Sequence, residues 1–144
     1  MEDTTEDEFT LLSQFIYTQR LEGDLGGMEK AVPSLCRLWI LAEKLLMPRL
    51  QNLVIDRIDW LRPQESVIHT TMFQYVWDNT MNDSPLRRLF ISQCAWNLAA
   101  GVFVARIDNF PKEMLAEICS QLKEHFSGQI IPSRNMADYY VKEG

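Results

Sequence analysis

The feature that most constrains the fold is an apolar stripe with helical spacing between Pro33 and Leu46. Apolar residues that recur every three or four positions lie on one face of an α-helix. Two more apolar residues, Ile40 and Leu41, make the stripe wider than a surface helix needs, so we expect this helix to lie centrally. The residues predicted to face the core are Leu35, Leu38, Trp39, Ala42, Leu45 and Leu46.

A proline joint follows this helix directly. Pro48 suits the first turn of a second helix, and it forces the preceding Met47 away from helical geometry. The second helix is predicted to span residues 48–61, to be closed by Pro63 and to form a helical hairpin with the first. Its predicted inward residues are Leu50, Leu53, Val54, Ile58 and Leu61.

The rest of the chain shows the same helical period, and no segment alternates cleanly as a half-buried strand does. Ser84-Pro85 is a helix start signal, because a capping hydroxyl precedes a proline at the first helical position. The small residues 99–101 later in that helix are expected to let another helix approach closely. The sequence thus predicts an all-α fold of about six helices. Besides the hairpin, the predicted helices span residues 6–19, 67–78, 85–104 and 111–126.

Length and composition suggest one globular unit with a short segment outside it at each terminus. A chain of 144 residues that is 47% hydrophobic can bury a core without disulfides or metals. The sequence leaves open whether Tyr139 and Tyr140 in the tail dock back on the body. The predicted organisation is an acidic lead, a helical unit, a helical extension packed on it and a tail, over residues 1–8, 9–62, 63–126 and 127–144.

Charge and cysteine content exclude several classes of partner and compartment. The formal net charge is −6, and most of it comes from acidic residues before the first basic residue, Arg20. Arg87-Arg88 is the only adjacent basic pair, so we expect no nucleic-acid binding. No apolar run approaches the roughly 20 residues that span a bilayer, so we expect no membrane partner. Three cysteines without paired spacing indicate reduced thiols in an intracellular protein, cytoplasmic or nuclear.

The residues that catalysis or metal binding requires are sparse. His69 and His125 are the two histidines, and His125 falls in the last turn of a predicted helix, which indicates a structural role. The cysteines Cys36, Cys94 and Cys119 each lie within an apolar helix, so we expect them to be buried and unreactive. No closely spaced Cys or His pair suggests a metal site. We therefore expect no catalytic, metal-binding or cofactor-binding residue and no cofactor.

Two stretches carry a resemblance to a known family. Residues 9–18, Phe-Thr-Leu-Leu-Ser-Gln-Phe-Ile-Tyr-Thr, resemble a BTB/POZ helix that ends in Tyr-Thr. Residues 38–53 contain Ala-Glu-Lys, then Pro48, then Leu-Gln-Asn, and resemble a run in BTB-domain proteins of filamentous fungi. Residues 80–89 look like the region that follows the domain in those proteins. The resemblance covers residues 9–60 well and residues 70–126 loosely.

The resemblance implies a function in protein–protein interaction, in an adaptor or assembly role. In some relatives that role is to connect proteins to cullin-type ubiquitin ligases, so a cullin-type scaffold is one implied partner. A complete BTB domain opens with a strand-rich half, and the sequence before Glu8 does not supply it. We therefore interpret residues 9–62 as a BTB-like helical half-domain of a truncated, divergent or fragmentary family member. The alternative is a structural or regulatory remnant that self-associates or competes with full-length relatives.

The absent half leads to a prediction about the interaction surface. In a complete relative, the first two helices would pack partly against the strand-rich half. Without it, we expect an exposed apolar patch near the N-terminus, flanked by the acidic lead, where the protein self-associates or binds a partner. The residues of this predicted patch are Phe9, Leu12, Phe15, Ile16, Ile40 and Leu41.

Overall fold

The computed structural model describes residues 10, 12–14, 28–65, 68–128 and 134–142. These residues form α-helices and short 3₁₀-helices with no strand among them, which confirms the all-α prediction. The 3₁₀-helices span Thr70–Met72, Ile107–Asn109 and Met136–Tyr139. The α-helices are α1 (Met28–Lys44), α2 (Pro48–Glu65), α3 (Phe73–Asn79), α4 (Pro85–Asn97), α5 (Ala100–Ala105) and α6 (Lys112–His125).

Only part of the predicted N-terminal helix lies within the described residues. Thr10 and residues 12–14 are helical, in agreement with the helix predicted over residues 6–19. The other positions of that helix, and the glycine-rich stretch 23–27, lie outside the described residues.

The hairpin of α1 and α2 is present, and its joint differs from the prediction. The N–H of Leu46 donates to the Glu43 carbonyl at 3.1 Å, and that of Met47 donates to the Ala42 carbonyl at 2.9 Å. This pair of hydrogen bonds is a Schellman motif, with Leu46 in the left-handed conformation at φ 54. The chain therefore leaves the helical stripe after Lys44. Leu45 and Leu46 were wrongly predicted to face the core, since they are 40% and 86% exposed.

The two helices also extend beyond their predicted ends. α1 begins at Met28, so that Pro33 lies inside it. α2 continues to Glu65, so the prediction that Pro63 closes it is wrong. A proline in the last turn removes one backbone donor and leaves the rest of the helix intact. The inward face of α2 agrees with the prediction, because Leu50, Val54, Ile58 and Leu61 are buried and Leu53 is half-buried.

The start of α4 is as predicted, but the helix is shorter. Ser84 caps it by accepting a hydrogen bond from the Arg87 N–H at 3.3 Å, and Pro85 is its first residue. The helix predicted over residues 85–104 is broken at Leu98 and Ala99, which are extended, with ψ 132 and 142. The break separates α4 from α5 and allows Phe103 to pack on Phe110, with ring centroids 5.2 Å apart.

The small-residue stretch after the break is exposed to solvent. Ala99, Ala100 and Gly101 are exposed, and a Cβ placed on Gly101 would meet nothing within 4 Å. The expectation of close helix packing there is therefore wrong, because the break turns this stretch toward solvent.

One hydrophobic core joins the two predicted helical units. α1 packs against α2, and α4 packs against α2, α3 and α6. Phe73 lies near the middle of this core, with its ring 5.3 Å from Phe90 and 5.4 Å from Phe110. Buried side chains from residues 9–62 and from residues 63–126 belong to the same cluster. In the tail, Tyr139 and Tyr140 are 65% and 70% exposed, so they do not dock on the body.

Candidate protein-interaction surface

The patch predicted from the sequence is not exposed where the structure describes it. Leu12, Ile40 and Leu41 are 5%, 3% and 4% exposed and belong to the hydrophobic core. The prediction of an exposed patch is wrong for these three residues, because Ile40 and Leu41 lie on a central helix that is covered on its apolar sides and Leu12 packs into the same core. Phe9, Phe15 and Ile16 lie outside the described residues.

A different surface on α2 combines exposed and half-buried side chains, both apolar and charged. Leu53, Asp56, Arg57 and Trp60 follow the i, i+3, i+4, i+7 spacing of one helix face and line a shallow groove of about 430 Å³. We call these four residues the α2 outer face. The face lies beside the buried side of the helix, which is formed by Val54, Ile58 and Leu61.

Trp60 is the prominent side chain of the α2 outer face. It is 56% exposed, and the Arg57 guanidinium carbon lies 5.5 Å from the centroid of its ring. A cation over an indole ring at this distance is attracted to the π-system. Leu53 is half-buried against the core and Asp56 is exposed. The face thus presents a stacked tryptophan–arginine pair beside a carboxylate and an aliphatic side chain.

Sequence reasoning did not single out Trp60. It assigned Asp56, Arg57 and Asp59 to the water-facing side of this helix. The signal was present, because a tryptophan follows these charged residues at the same side of an amphipathic helix. A large aromatic residue on a hydrophilic helix face indicates a surface of this kind.

A second groove, of about 370 Å³, lies between the beginning of α4 and α6. Arg88 and Asp83 form an ion pair in it at 3.9 Å, with both side chains mostly exposed. Its apolar member, Ile91, is 4% exposed, and the other lining residues are polar or charged. The lining residues are Asp83, Arg88, Ile91, Glu117, Ser120, Gln121 and Glu124.

The basic pair Arg87-Arg88 is divided between the interior and the surface. Arg87 is 6% exposed, and its guanidinium donates to the carbonyls of Trp77 and Thr80, both at 2.7 Å. It also donates to the Thr80 hydroxyl at 2.8 Å and to Asn82 Oδ1 at 3.0 Å. These acceptors lie at and after the end of α3, where helix carbonyls lack intrahelical partners. Arg87 is therefore a structural cap, and the pair does not form a basic surface patch.

The three thiols and His125 differ in burial and in the side chains around them. Burial raises the pKa of the Cys36 thiol to about 12, partly opposed by the charge of Arg37. Burial also raises the pKa of Cys94 to about 12. Cys119 is exposed, which corrects the prediction that all three are buried, because the inward positions of α6 are Met114 and Ile118. His125 lies in the last turn of α6, as predicted, with its ring 4.6 Å from Trp96.

Within the described ranges, no group of three or more metal-ligating side chains is close enough to hold an ion. None of the helices described here is long and apolar enough to cross a membrane. No family model matches the chain, and no curated protein or solved structure is significantly similar to it. The α2 outer face is therefore identified as the candidate functional site from its side chains alone.

Proposed function

We propose that this chain is a non-catalytic protein-interaction module that binds other proteins through the α2 outer face. The observation that carries the proposal is the exposed Trp60 with Arg57 stacked on its ring. Tryptophan and arginine are the residues most enriched among those that dominate binding energy in protein interfaces. A rigid indole that is already held by a neighbour loses little conformational freedom when a partner covers it.

The charge distribution favours a protein partner over a nucleic acid. The chain has a net charge of −6, and one member of its adjacent basic pair, Arg87, is buried. A nucleic-acid surface needs several accessible cations to neutralise phosphates. The α2 outer face has one cation and one carboxylate, Arg57 and Asp56, a mixed pattern suited to a protein surface.

A BTB-like adaptor or assembly role is part of this proposal. Support comes from the positions of the motif residues: Ala42, Glu43 and Lys44 end α1, and Pro48 begins α2. A cullin-type scaffold is one partner that this role implies. An intracellular location, cytoplasmic or nuclear, fits the free thiols of all three cysteines.

The proposal is tested by quantitative co-purification from the native host. We expect Trp60→Asp to reduce the recovery of bound proteins by about tenfold or more, since truncation of a central tryptophan typically costs at least 2 kcal/mol of binding. Val104 is 79% exposed on α5, so Val104→Asp is the matched control and should retain wild-type recovery. Equal recovery with wild-type chain and with Trp60→Asp would refute the proposal.

A further inference from the structure

The tail segment, residues 134–142, presents two adjacent tyrosines that the fold does not use. Tyr139 and Tyr140 are 65% and 70% exposed, and the hydrophobic core includes neither ring. Within the described part of the chain, neither phenol has a hydrogen-bond partner. We propose that this tyrosine pair is a phosphorylation site for a protein-tyrosine kinase. The inference is independent of the α2 outer face, because the tail segment does not contribute to that surface.

The backbone of the tail segment forms a short turn that ends at the tyrosine pair. The Asn135 side chain accepts a hydrogen bond from the Ala137 N–H at 3.1 Å, and the Tyr140 N–H donates to the Ala137 carbonyl at 3.2 Å. The 3₁₀-helix ends at Tyr139, and Tyr140 is extended, with ψ 141. An extended segment can pair its main chain with a strand of a binding protein. The pair therefore lies where the chain becomes suited to an enzyme's substrate groove.

Tyr75 and two exposed serines lack this combination of exposure and extended backbone. Tyr75 is half-buried, and the guanidinium carbon of Arg37 lies 5.7 Å from the centroid of its ring. Ser92 and Ser120 are exposed, but they lie within α4 and α6. An enzyme that holds its substrate extended would have to break helical hydrogen bonds to reach them. Access thus favours the tail segment over these positions.

The transfer itself requires only that the phenol be placed in line with the phosphate donor. A separate kinase supplies the donor, a nucleoside triphosphate, and the phenolic oxygen attacks its γ-phosphorus. A bond from this oxygen to phosphorus forms while the bond to the β,γ-bridging oxygen breaks. The nucleoside diphosphate leaves with that electron pair, and the phenolic proton passes to a base of the kinase.

Charge affects both the recognition of the site and the result of its modification. The exposed Asp138 directly precedes the pair, and its carboxylate attracts an enzyme with a cationic substrate surface. One phosphate adds about −1.5 to −2 charge near neutral pH and three strong acceptor oxygens. The chain already has a net charge of −6, so modification makes the tail end more acidic without touching the core.

Mass spectrometry of the full chain purified from its native host with phosphatase inhibitors tests the inference. Trypsin cleaves after Arg134 and after Lys142, so both tyrosines fall in the peptide 135–142, which contains no serine or threonine. We expect a fraction of this peptide to carry one phosphate that a tyrosine phosphatase removes. The double variant Tyr139→Phe, Tyr140→Phe should lose it completely. Tyr75→Phe is the matched control and should keep the tail phosphate.

The peptide recovered only in its unmodified form would overturn the inference. A modification that resists the phosphatase would do the same, because the added group is then not a phosphate. Phosphate found at Tyr75 and absent from the tail segment would also contradict it. The tail variants should unfold at the wild-type midpoint, since both side chains are exposed and lie outside the core.

Discussion

Arg87 contacts Trp77 in two ways. Its guanidinium donates a hydrogen bond of 2.7 Å to the Trp77 carbonyl, and the guanidinium carbon lies 5.2 Å from the centroid of the indole ring. The carbonyl is one of the last of α3 and has no partner within the helix. A positive charge at this end also interacts favourably with the negative end of the helix dipole. A side chain from the first turn of α4 thus holds the end of α3 in place.

Replacing this arginine should lower the stability of the whole domain. Arg87→Lys removes the planar set of donors, so that the buried carbonyl of Trp77 and the partly buried carbonyl of Thr80 lose a partner. Each unsatisfied buried acceptor costs about 1–3 kcal/mol, and we expect a loss of about 2–3 kcal/mol in the free energy of unfolding. Urea denaturation measures it. The exposed neighbour provides the control, since Arg88→Lys should change stability by less than about 0.5 kcal/mol.

A substitution at the hairpin joint should instead increase the stability of the domain. Leu46 holds φ 54 at the position of a Schellman motif where glycine is usual, and its side chain is 86% exposed. The left-handed conformation costs an L-residue roughly 1–2 kcal/mol, and a glycine at this position avoids that cost. Part of the gain is lost, because glycine has more conformational freedom in the unfolded chain. We expect Leu46→Gly to raise the free energy of unfolding by about 0.5–1 kcal/mol. Leu45→Gly, one residue earlier, should lower it, and an unfolding midpoint that falls for both variants would contradict this account.

The centre of the α1 stripe should be the position most sensitive to truncation. Leu38 is 0% exposed, whereas Val104 is 79% exposed. A buried Leu→Ala change typically costs 2–5 kcal/mol, so we expect about that loss for Leu38→Ala. Val104→Ala should be close to neutral in the same thermal or chemical denaturation. A Leu38→Ala midpoint equal to that of wild type would show that the stripe is not core.

The three thiols should separate into two classes. Cys36 and Cys94 have their pKa raised to about 12 by burial, so near neutral pH they are protonated as well as inaccessible. Cys119 is exposed on α6. An aromatic disulfide reagent should therefore react rapidly with one thiol in the native protein and with all three in denaturant. Cys119→Ser should remove the rapid phase, and a rapid phase that survives it would place a reactive thiol at one of the buried positions.

The parts of the fold that depend on local pattern were predictable from the sequence. The stripe around Leu38, the joint at Pro48 and the cap at Ser84 follow from helical spacing and from residues with restricted backbones. The break at Leu98 was not predictable, because the aromatic packing of Phe103 on Phe110 forms only in the folded chain. Local preferences were overridden there by tertiary contacts.

The candidate surface, too, was only partly predictable from the sequence. The wide stripe correctly indicated a central α1, but its surplus residues Ile40 and Leu41 were assigned to an exposed patch. Periodicity tells how apolar a helix face is, and it does not tell which neighbours cover that face. The burial of Arg87 was hidden for a similar reason, because its acceptors are main-chain carbonyls that have no signature in the sequence. Trp60 was the detectable signal, as a large aromatic residue among charged ones.

We expect the α2 outer face to be in contact with protein in the cell, and photo-crosslinking at position 60 tests this most directly. A photoreactive phenylalanine analogue replaces Trp60 in one sample and the exposed Val104 in another, and both are irradiated in living cells. We expect discrete crosslinked species from position 60, heavier than the chain and absent from position 104. Position 60 yielding only uncrosslinked chain, or the same species as position 104, would contradict it.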